Sequence, residues 1–214
     1  MSAKTRLASV RSAWAYRQRT AIRLHEVLVV DVEATTAADR PPGALRDIIE
    51  IGACLVSLEG GAIRDAAGIL VRPSCSEVTE FCTSITGITP EQSRDGRPFV
   101  EACDWLKSMF ESTGHVWASF GEFDLEQFAT QCEREGVQYP FVAAHVNIKL
   151  LAALRFKWRR QKGLMRACAE LGIRPVGRHH SARDDAVNAA RVLYRSLSSC
   201  TYGKEGEANA ACHR

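Results

Sequence analysis

The sequence lacks several features that would assign it to common functional classes. Its eight cysteines include no C-x-x-C pair, which excludes zinc ribbons and thioredoxin motifs, and we interpret them as reduced thiols that behave as small apolar residues. No apolar run approaches the roughly 18 residues needed to cross a bilayer, and the N-terminus has no secretory signal. We therefore expect neither secretion nor a membrane partner.

Acidic residues are absent from the start of the chain. Residues 1–25 contain six Lys or Arg and no Asp or Glu, so the rest of the chain is mildly acidic although the whole carries a formal charge of +3. This basic leader is expected to be flexible; it could contact phosphates, be an inert solvated tail, or be a mitochondrial presequence. We expect a cytoplasmic protein, with the mitochondrial matrix as the alternative. Small and polar residues at 199–214 predict a disordered tail.

Between these ends, residues 26–198 have the composition of a single globular domain. Apolar and β-branched runs predict strands at 27–32, 47–56, 62–72 and 115–120. Apolar residues at helical spacing predict helices at 97–112, 124–135, 144–158, 163–171 and 182–198. A further helix is expected after Thr89, with Pro90 at its first position and Gln92 completing a capping box.

The stretch VLVVDVEATT, at 27–36, runs four apolar residues into the acids Asp31 and Glu33. In a strand, side chains two residues apart point to the same face, so these carboxylates should project side by side. Two adjacent carboxylates on one face suit a hard divalent cation. The plainer interpretation is a strand that ends at the surface with solvated acids, and the pair alone favours that.

A third acid, Asp124, stands where the strand at 115–120 gives way to a helix. This is the carboxyl end of a strand, where open sheets bind ligands. Asp124 with Gln127 would equally make a helix N-cap with a capping box, and taken alone the cap is the favoured interpretation.

The stretch GRHHSARDDAVNAARVL, at 177–193, predicts a helix whose N-cap is Ser181. Asp184 then takes the capping-box position and is structural, which leaves Asp185 as the candidate ligand. His180 precedes the cap, where the geometry of a helix start places its imidazole beside the carboxylate of Asp185. For His179 we favour a solvent-facing loop histidine.

A basic stretch, RFKWRRQKG at 155–163, interleaves cations with the aromatic residues Phe156 and Trp158. Bases can stack on such aromatics while Lys and Arg meet the phosphates, which would make this a binding patch for a single strand. A helix with core aromatics and solvated charges is an equal alternative. The cations are Arg155, Lys157, Arg159, Arg160 and Lys162. Arg178 and Arg183, which flank His180, are further candidate phosphate contacts.

Taken together, Asp31-x-Glu33, Asp124 and His180-x-x-x-x-Asp185, in that order, resemble the motif of the DEDDh 3′→5′ exonucleases. The stretches DVEAT, FCTSITGIT, YPF followed by HVNIK, and GRHHSARDD are similar to the Eri-type exoribonuclease branch of that superfamily. The resemblance covers about residues 26–198. It implies an α/β, ribonuclease-H-like fold of three layers, in which helices flank a central mixed five-stranded sheet and the acids gather at one edge.

The resemblance also implies the roles of the motif residues. The four acids would bind two Mg²⁺ or Mn²⁺ ions, His180 would be the general base, and Glu33 would also act in catalysis. Ala34 and Thr35 would lie against the terminal nucleotide. Phe123 stands where the branch usually has a tryptophan, so its stacking on a base is expected to be weaker.

Such an enzyme would hydrolyse single-stranded 3′ ends and release nucleoside 5′-monophosphates. Two divalent ions can align the attacking water with the departing 3′ oxygen, and a histidine with a pKa near 6.5 can take the water's proton. Activity should therefore decline on the acid side. RNA is preferred over DNA on the Eri-type resemblance alone, because the contact to the 2′-hydroxyl cannot be inferred from spacing.

Two other functions fit part of the sequence. Asp31-x-Glu33-Ala34-Thr35 also resembles the DxDxT opening of haloacid-dehalogenase-type phosphatases, although Glu33 fits that motif poorly and the His180–Asp185 pair has no role there. A catalytically idle nucleic-acid-binding module would keep the fold without turnover, but the presence of all five motif residues argues against it. The sequence gives no prediction of protein partners or oligomeric state.

Overall fold

In the computed structural model, residues 22–39, 41, 43–142 and 144–198 are described. They form one mixed five-stranded sheet with helices on both faces, and the predicted ribonuclease-H-like α/β architecture is confirmed. Of the predicted basic leader, 1–25, residues 1–21 lie outside the described residues, as does the predicted tail at 199–214, whereas residues 23–25 belong to the first strand.

The sheet has the strand order β3-β2-β1-β4-β5. Its central strand β1 pairs antiparallel with β2 and parallel with β4, while β2 and β3 form an antiparallel hairpin and β5 extends the parallel half. The carboxyl ends of β1, β4 and β5 therefore meet at one edge. The strands are β1 (Arg23–Ala34), β2 (Ile48–Ser57), β3 (Ile63–Leu70), β4 (His115–Ser119) and β5 (His145–Asn147).

Seven α-helices and one 3₁₀ turn (Ser112–Gly114) accompany the sheet within the described residues. The helices are α1 (Glu80–Thr86), α2 (Pro90–Arg94), α3 (Phe99–Phe110), α4 (Phe123–Glu135), α5 (Ile148–Arg155), α6 (Leu164–Glu170) and α7 (Ala182–Leu197). The capping box that Thr89 and Gln92 predict is present at the start of α2.

Two features of the fold differ from the sequence prediction. The segment predicted as one helix, 144–158, begins with the short strand β5 and continues as α5 only to Arg155. Three residues give too little pattern to separate a strand from a helix, and pairing with β4 decides the conformation. Helix α1 was not predicted; its N-cap is Thr79, whose hydroxyl accepts a hydrogen bond from the amide of Cys82.

The alternation of side chains along β1 separates two apolar cores. Leu28, Val30 and Val32 pack on the side of α3 and α4, whereas Val27 and Val29 pack on the side of α5, α6 and α7. Asp31 and Glu33 share the parity of Val27 and Val29, so they project from the face that α7 covers.

Gly52 allows α7 to lie directly against the sheet. It is paired with Asp31 in the β1–β2 register, and a Cβ atom at this position would stand only 2.0 Å from the carbonyl carbon of Ala182. Both colliding groups belong to backbone, so no side-chain rotation would relieve the clash. The absence of a side chain at Gly52 therefore brings the start of α7 beside Asp31.

None of the helices in the described part of the chain combines the length and the apolar composition that crossing a bilayer requires.

We expect Gly52→Ala to destabilise the protein by about 1–3 kcal/mol, because the added methyl must push the first turn of α7 away from β2. The measurement is the free energy of unfolding from urea titration. Gly114→Ala is the control, since a Cβ atom there meets nothing within 4 Å. Equal stability of the two variants would show that α7 does not depend on this close approach.

Candidate active site

Two carboxylates at the end of β1 face a third on α7. Asp31 and Glu33 lie side by side as their spacing predicts, and Asp185 stands in the first turn of α7. One oxygen atom from each of these three side chains lies within 4.8 Å of the other two. Residues far apart in the sequence thus form one acidic cluster at the edge of the sheet.

The crowding of these anions changes their acidity. Loss of hydration, together with the charges of Asp124 and Glu33, raises the pKa of Asp31 well above its usual range. Loss of hydration and the charge of Asp185 raise the pKa of Glu33 to about 8. Both shifts show that the negative charge here lacks sufficient compensation from the described residues.

Asp124 belongs to the same site but is not a helix cap. The helix α4 begins at Phe123 with Glu122 as its N-cap, so the cap interpretation of Asp124 is wrong. Its carboxylate instead accepts a hydrogen bond of 2.9 Å from the amide of Val32, which fixes it against β1. Burial raises the pKa of Asp124 to about 6. Gln127 donates to the carbonyl of Arg46 and takes no part in a capping box.

The two histidines before α7 do not divide their roles as predicted. The imidazole of His179 contacts Asp185 directly, with Nδ1 2.8 Å from Oδ2, so the prediction of a merely solvent-facing His179 is wrong. A ring nitrogen of His180 also lies within 4.8 Å of the Asp185 carboxylate, as predicted. His180 contacts the same oxygen through its backbone amide, at 2.9 Å. The two imidazole rings stack with their centroids 3.9 Å apart.

The side chain of His180 points towards Glu33 on β1. Its Nδ1 lies 3.6 Å from Oε1 of Glu33, and the residue adopts a left-handed backbone conformation with φ of 63°. Burial and the neighbouring His179 lower the pKa of His180, so its imidazole is neutral at neutral pH. A neutral imidazole beside a carboxylate cluster can accept a proton from water.

The start of α7 is held differently from the predicted capping box. Ser181 is the N-cap residue, but its side chain makes no capping hydrogen bond. The predicted structural role of Asp184 takes another form, because its carboxylate accepts from the amide of Arg178, at 2.9 Å. The amide of Ala182 donates to Glu50 on β2.

Glu50 is an acid of this site that the sequence analysis missed. It pairs with Glu33 in the β1–β2 register, and burial raises its pKa. A single acid within the apolar strand sequence IIEIG was the available signal, but recognising it required the register of β2 against β1.

The donors of the cluster suit a divalent cation. Oδ1 of Asp185 is buried and has no hydrogen-bond partner among the described residues. Burying an unpaired carboxylate oxygen destabilises the fold unless a ligand binds to it. Carboxylate oxygens are the hard donors that Mg²⁺ and Mn²⁺ prefer. The cluster that includes Asp31, Glu33 and Asp185 can therefore hold such an ion.

The predicted contacts to the terminal nucleotide differ in accessibility. Phe123 is 42% exposed, and the guanidinium of Arg46 lies 5.4 Å from the centroid of its ring. A groove of about 610 Å³ runs beside them along α4 and the loop before β2. Ala34 is buried, and Thr35 is 1% exposed with its hydroxyl bonded to Ser76 and to the amide of Asp47. The hydroxyl of Thr35 is thus engaged in internal hydrogen bonds, and the contact of Thr35 with the terminal nucleotide stays a prediction.

The two arginines that flank His180 make contacts within the protein. Arg178 donates to the carbonyl of Thr86 at the end of α1. Its positive charge offsets part of the rise in the pKa of Glu33. Arg183 donates to the carbonyl of Ala66, at 3.3 Å, and its side chain remains 55% exposed. Both arginines nevertheless remain exposed, so either could contact a phosphate.

The basic stretch at 155–163 is a loop and not part of a helix beyond Arg155. Phe156 and Trp158 stack with their ring centroids 5.7 Å apart and pack against the core beneath α7. This agrees with the alternative prediction that these aromatic residues belong to the core. The cations remain outside, with Arg159 and Arg160 exposed. Helix α5 begins at the catalytic edge and its eight residues rise about 12 Å, and the loop follows the far end of this helix.

The raised pKa of Glu33 predicts how stability depends on pH without divalent ions. Between its ordinary value of 4.5 and about 8, the folded protein holds a proton that the unfolded chain has lost, so stability must fall as pH rises. Between pH 7 and 8 we expect Glu33 alone to contribute a loss of about 1 kcal/mol.

This effect can be measured by thermal or urea unfolding in a chelator. Glu33→Gln should reduce the pH dependence, and millimolar Mg²⁺ or Mn²⁺ should restore the stability of the unsubstituted protein at pH 8. Glu91→Gln is the matched control, because Glu91 is exposed on α2. An identical pH dependence in both variants would contradict the assignment to Glu33.

Comparison with known proteins places this site in a family. The exonuclease model RNase_T matches residues 28–193. The 3′-5′ exoribonuclease 1 of Rattus norvegicus is 32% identical over 80% of this chain and 52% of its own length, and the probable 3′-5′ exonuclease KapD of Bacillus subtilis is 25% identical over 79% and 83%. The chain thus spans about half the length of the mammalian relative.

A solved structure agrees with this assignment. The nuclease domain of 3′hExo, described as a DEDDh family member bound to rAMP, is 29% identical, with a TM-score of 0.72 over 81% of this chain and 92% of that domain. The phosphatase alternative finds no support in the family match, and the resemblance to DEDDh exonucleases of the Eri type is confirmed. The chain therefore belongs to the RNase_T exonuclease family.

Proposed function

We propose that the protein is a metal-dependent 3′→5′ exonuclease that removes nucleoside 5′-monophosphates from single-stranded 3′ ends, with RNA as its substrate. The observation that carries this proposal is the meeting of Asp31, Glu33 and Asp185 within 4.8 Å, with Asp124 and His180 beside them. The family uses divalent ions; two ions, Mg²⁺ or Mn²⁺, and the four acids as their ligands are part of the proposal.

Each residue of the site has a role in hydrolysis of the last phosphodiester. The four acids would hold the cations, which when bound would neutralise the phosphate and align water with the departing 3′ oxygen. His180 would accept a proton from the attacking water, since its lowered pKa keeps it neutral. The oxygen of that water would bond to phosphorus as the bond from phosphorus to the 3′ oxygen breaks, and the 3′ oxygen would take up a proton from solvent.

The surfaces beside the cluster suit a strand of nucleic acid. Phe123 offers an exposed ring for the terminal base, and the guanidinium of Arg46 above it adds a positive charge to this platform. RNA is favoured because two relatives named exoribonucleases, from rat and human, are 32% and 30% identical. A related 3′-exonuclease, 28% identical, has been solved with a histone mRNA stem-loop recognised at its 3′ end.

The first test compares the unsubstituted protein with Asp31→Asn and His180→Asn on 5′-labelled RNA in Mg²⁺. We expect stepwise shortening by the unsubstituted protein and a loss of at least about 100-fold in each variant, since both residues act at the reacting phosphate. Asp104→Asn is the control, because Asp104 lies exposed on α3. Equal absence of product from all proteins would favour an idle binding module.

The same digestion settles the substrate and the product. Competing RNA and DNA strands of one sequence should show faster loss of the RNA, whereas equal or faster loss of DNA would overturn the RNA assignment. Chromatography should identify nucleoside 5′-monophosphates. Activity should fall on the acid side, with its midpoint below the value of an exposed histidine, because His180 must lose its proton to act.

The basic loop predicts a second effect that depends on strand length. Arg159 and Arg160 follow the far end of α5, the helix that begins at the catalytic edge, so we expect that only a strand of several nucleotides can reach them. Replacing both by Ala should weaken the binding of a long strand but not of a dinucleotide. It should also reduce the slope of log affinity against log salt by about 1.4, the value for two lost phosphate contacts.

The matched control replaces Arg94 and Arg97 by Ala, because both are exposed and each is paired with a neighbouring Glu. An equal loss of affinity in the control pair would mean that general charge, and not the loop, holds the strand. An unchanged salt dependence after substitution of Arg159 and Arg160 would remove the loop from the binding surface.

A further inference from the structure

A second group of metal-binding atoms lies beside the carboxylate cluster. His179, His180 and Asp185 each offer one atom, and these three atoms lie within 4.8 Å of one another. The donors are two imidazole nitrogens and one carboxylate oxygen, unlike the all-oxygen set of Asp31, Glu33 and Asp185. Asp185 belongs to both groups.

The two donor sets favour different ions. Oxygen-only sites suit Mg²⁺, whereas imidazole nitrogen combined with a carboxylate suits Zn²⁺ and similar ions of the first transition row. Binding through two histidines would therefore distinguish such ions from the Mg²⁺ that supports hydrolysis.

The distances require little movement. Nδ1 of His179 and Oδ2 of Asp185 are 2.8 Å apart, a hydrogen-bond separation. Zinc bonds of about 2.0–2.1 Å at a tetrahedral angle would need roughly 3.3 Å between the same two atoms, an opening of about half an ångström. For Nδ1 of His179 to bind the ion, the ring must carry its proton on Nε2.

The surroundings allow the rings to move while the carboxylate stays fixed. The side chains of His179 and His180 are 45% and 44% exposed, so each ring can turn out of the stack towards a shared ion. Asp185 is 4% exposed and is held by the amide of His180. Its second oxygen, Oδ1, is buried without a partner and so remains free for a ligand.

We propose that His179, His180 and Asp185 form an inhibitory site for Zn²⁺ or a similar transition-metal ion. Occupation would take the nitrogen lone pair of His180, which could then no longer accept a proton from water. It would also engage Asp185, which the carboxylate cluster shares. The effect on hydrolysis rests on the function proposed above, whereas the binding of the ion does not.

The test measures Zn²⁺ binding by calorimetry both without Mg²⁺ and in excess Mg²⁺, which is expected to compete for the shared Asp185. The unsubstituted protein is compared with His179→Asn and His179→Phe, the second of which keeps an aromatic ring but lacks a donor. His25→Asn is the control, because His25 is an exposed histidine near the start of β1. Circular dichroism confirms that each variant is folded.

We expect Zn²⁺ to bind the unsubstituted protein and the control equally, and both His179 variants at least about tenfold more weakly. The Zn²⁺ concentration that halves Mg²⁺-dependent RNA hydrolysis should rise by a similar factor in those variants. Equal Zn²⁺ affinity in all four proteins would place the ion in the carboxylate cluster and overturn the site.

Failure of the site and failure of the proposed function are distinguishable. Binding of Zn²⁺ that depends on His179, in a protein that does not hydrolyse RNA with Mg²⁺, would support the site and reject the exonuclease function. If the protein hydrolyses RNA with Mg²⁺ and its inhibition by Zn²⁺ is unchanged in both His179 variants, the exonuclease function is supported and the Zn²⁺ site is rejected.

Discussion

Repulsion between carboxylates is the constraint on which the rest of this structure depends. Asp31, Glu33 and Asp185 are held close enough for one cation to touch all three, although this raises the pKa of Asp31 and Glu33. Such a cluster opposes folding unless positive charge enters it. The fold therefore maintains a locally unfavourable arrangement whose stabilisation comes from a ligand, which is typical of a site selected for chemistry and not for stability.

The scaffold enforces this arrangement through backbone contacts. Gly52 lets the first turn of α7 touch the sheet, Glu50 accepts from the amide of Ala182, and Asp124 accepts from Val32. These contacts join β1 and β2 to α4 and α7, and Asp124 is the one proposed metal ligand among the residues that make them. The positions of the ligands are therefore set by groups that remain in place whether or not an ion is bound.

The sequence allowed the fold class and the acidic residues to be predicted, because alternation in β1 and the spacing of the motif residues are local properties. It did not allow the partners of those residues to be predicted. The contact between His179 and Asp185 depends on the left-handed turn at His180, and the position of Glu50 depends on strand register. Strand β5 was missed because three residues carry no period. The burial of Thr35 was missed because it follows from the loop around Asp47.

The pairing of elements that are distant in sequence, such as β1 with β4, has a consequence for how the chain folds during its synthesis. Within this domain, Asp31 is synthesised well before its partner Asp185, which can join it only after the chain as far as α7 has been made. Folds dominated by such distant pairings form slowly. A nascent chain on the ribosome, although surrounded by RNA, would thus be unable to assemble its acidic centre until translation of the domain is nearly complete.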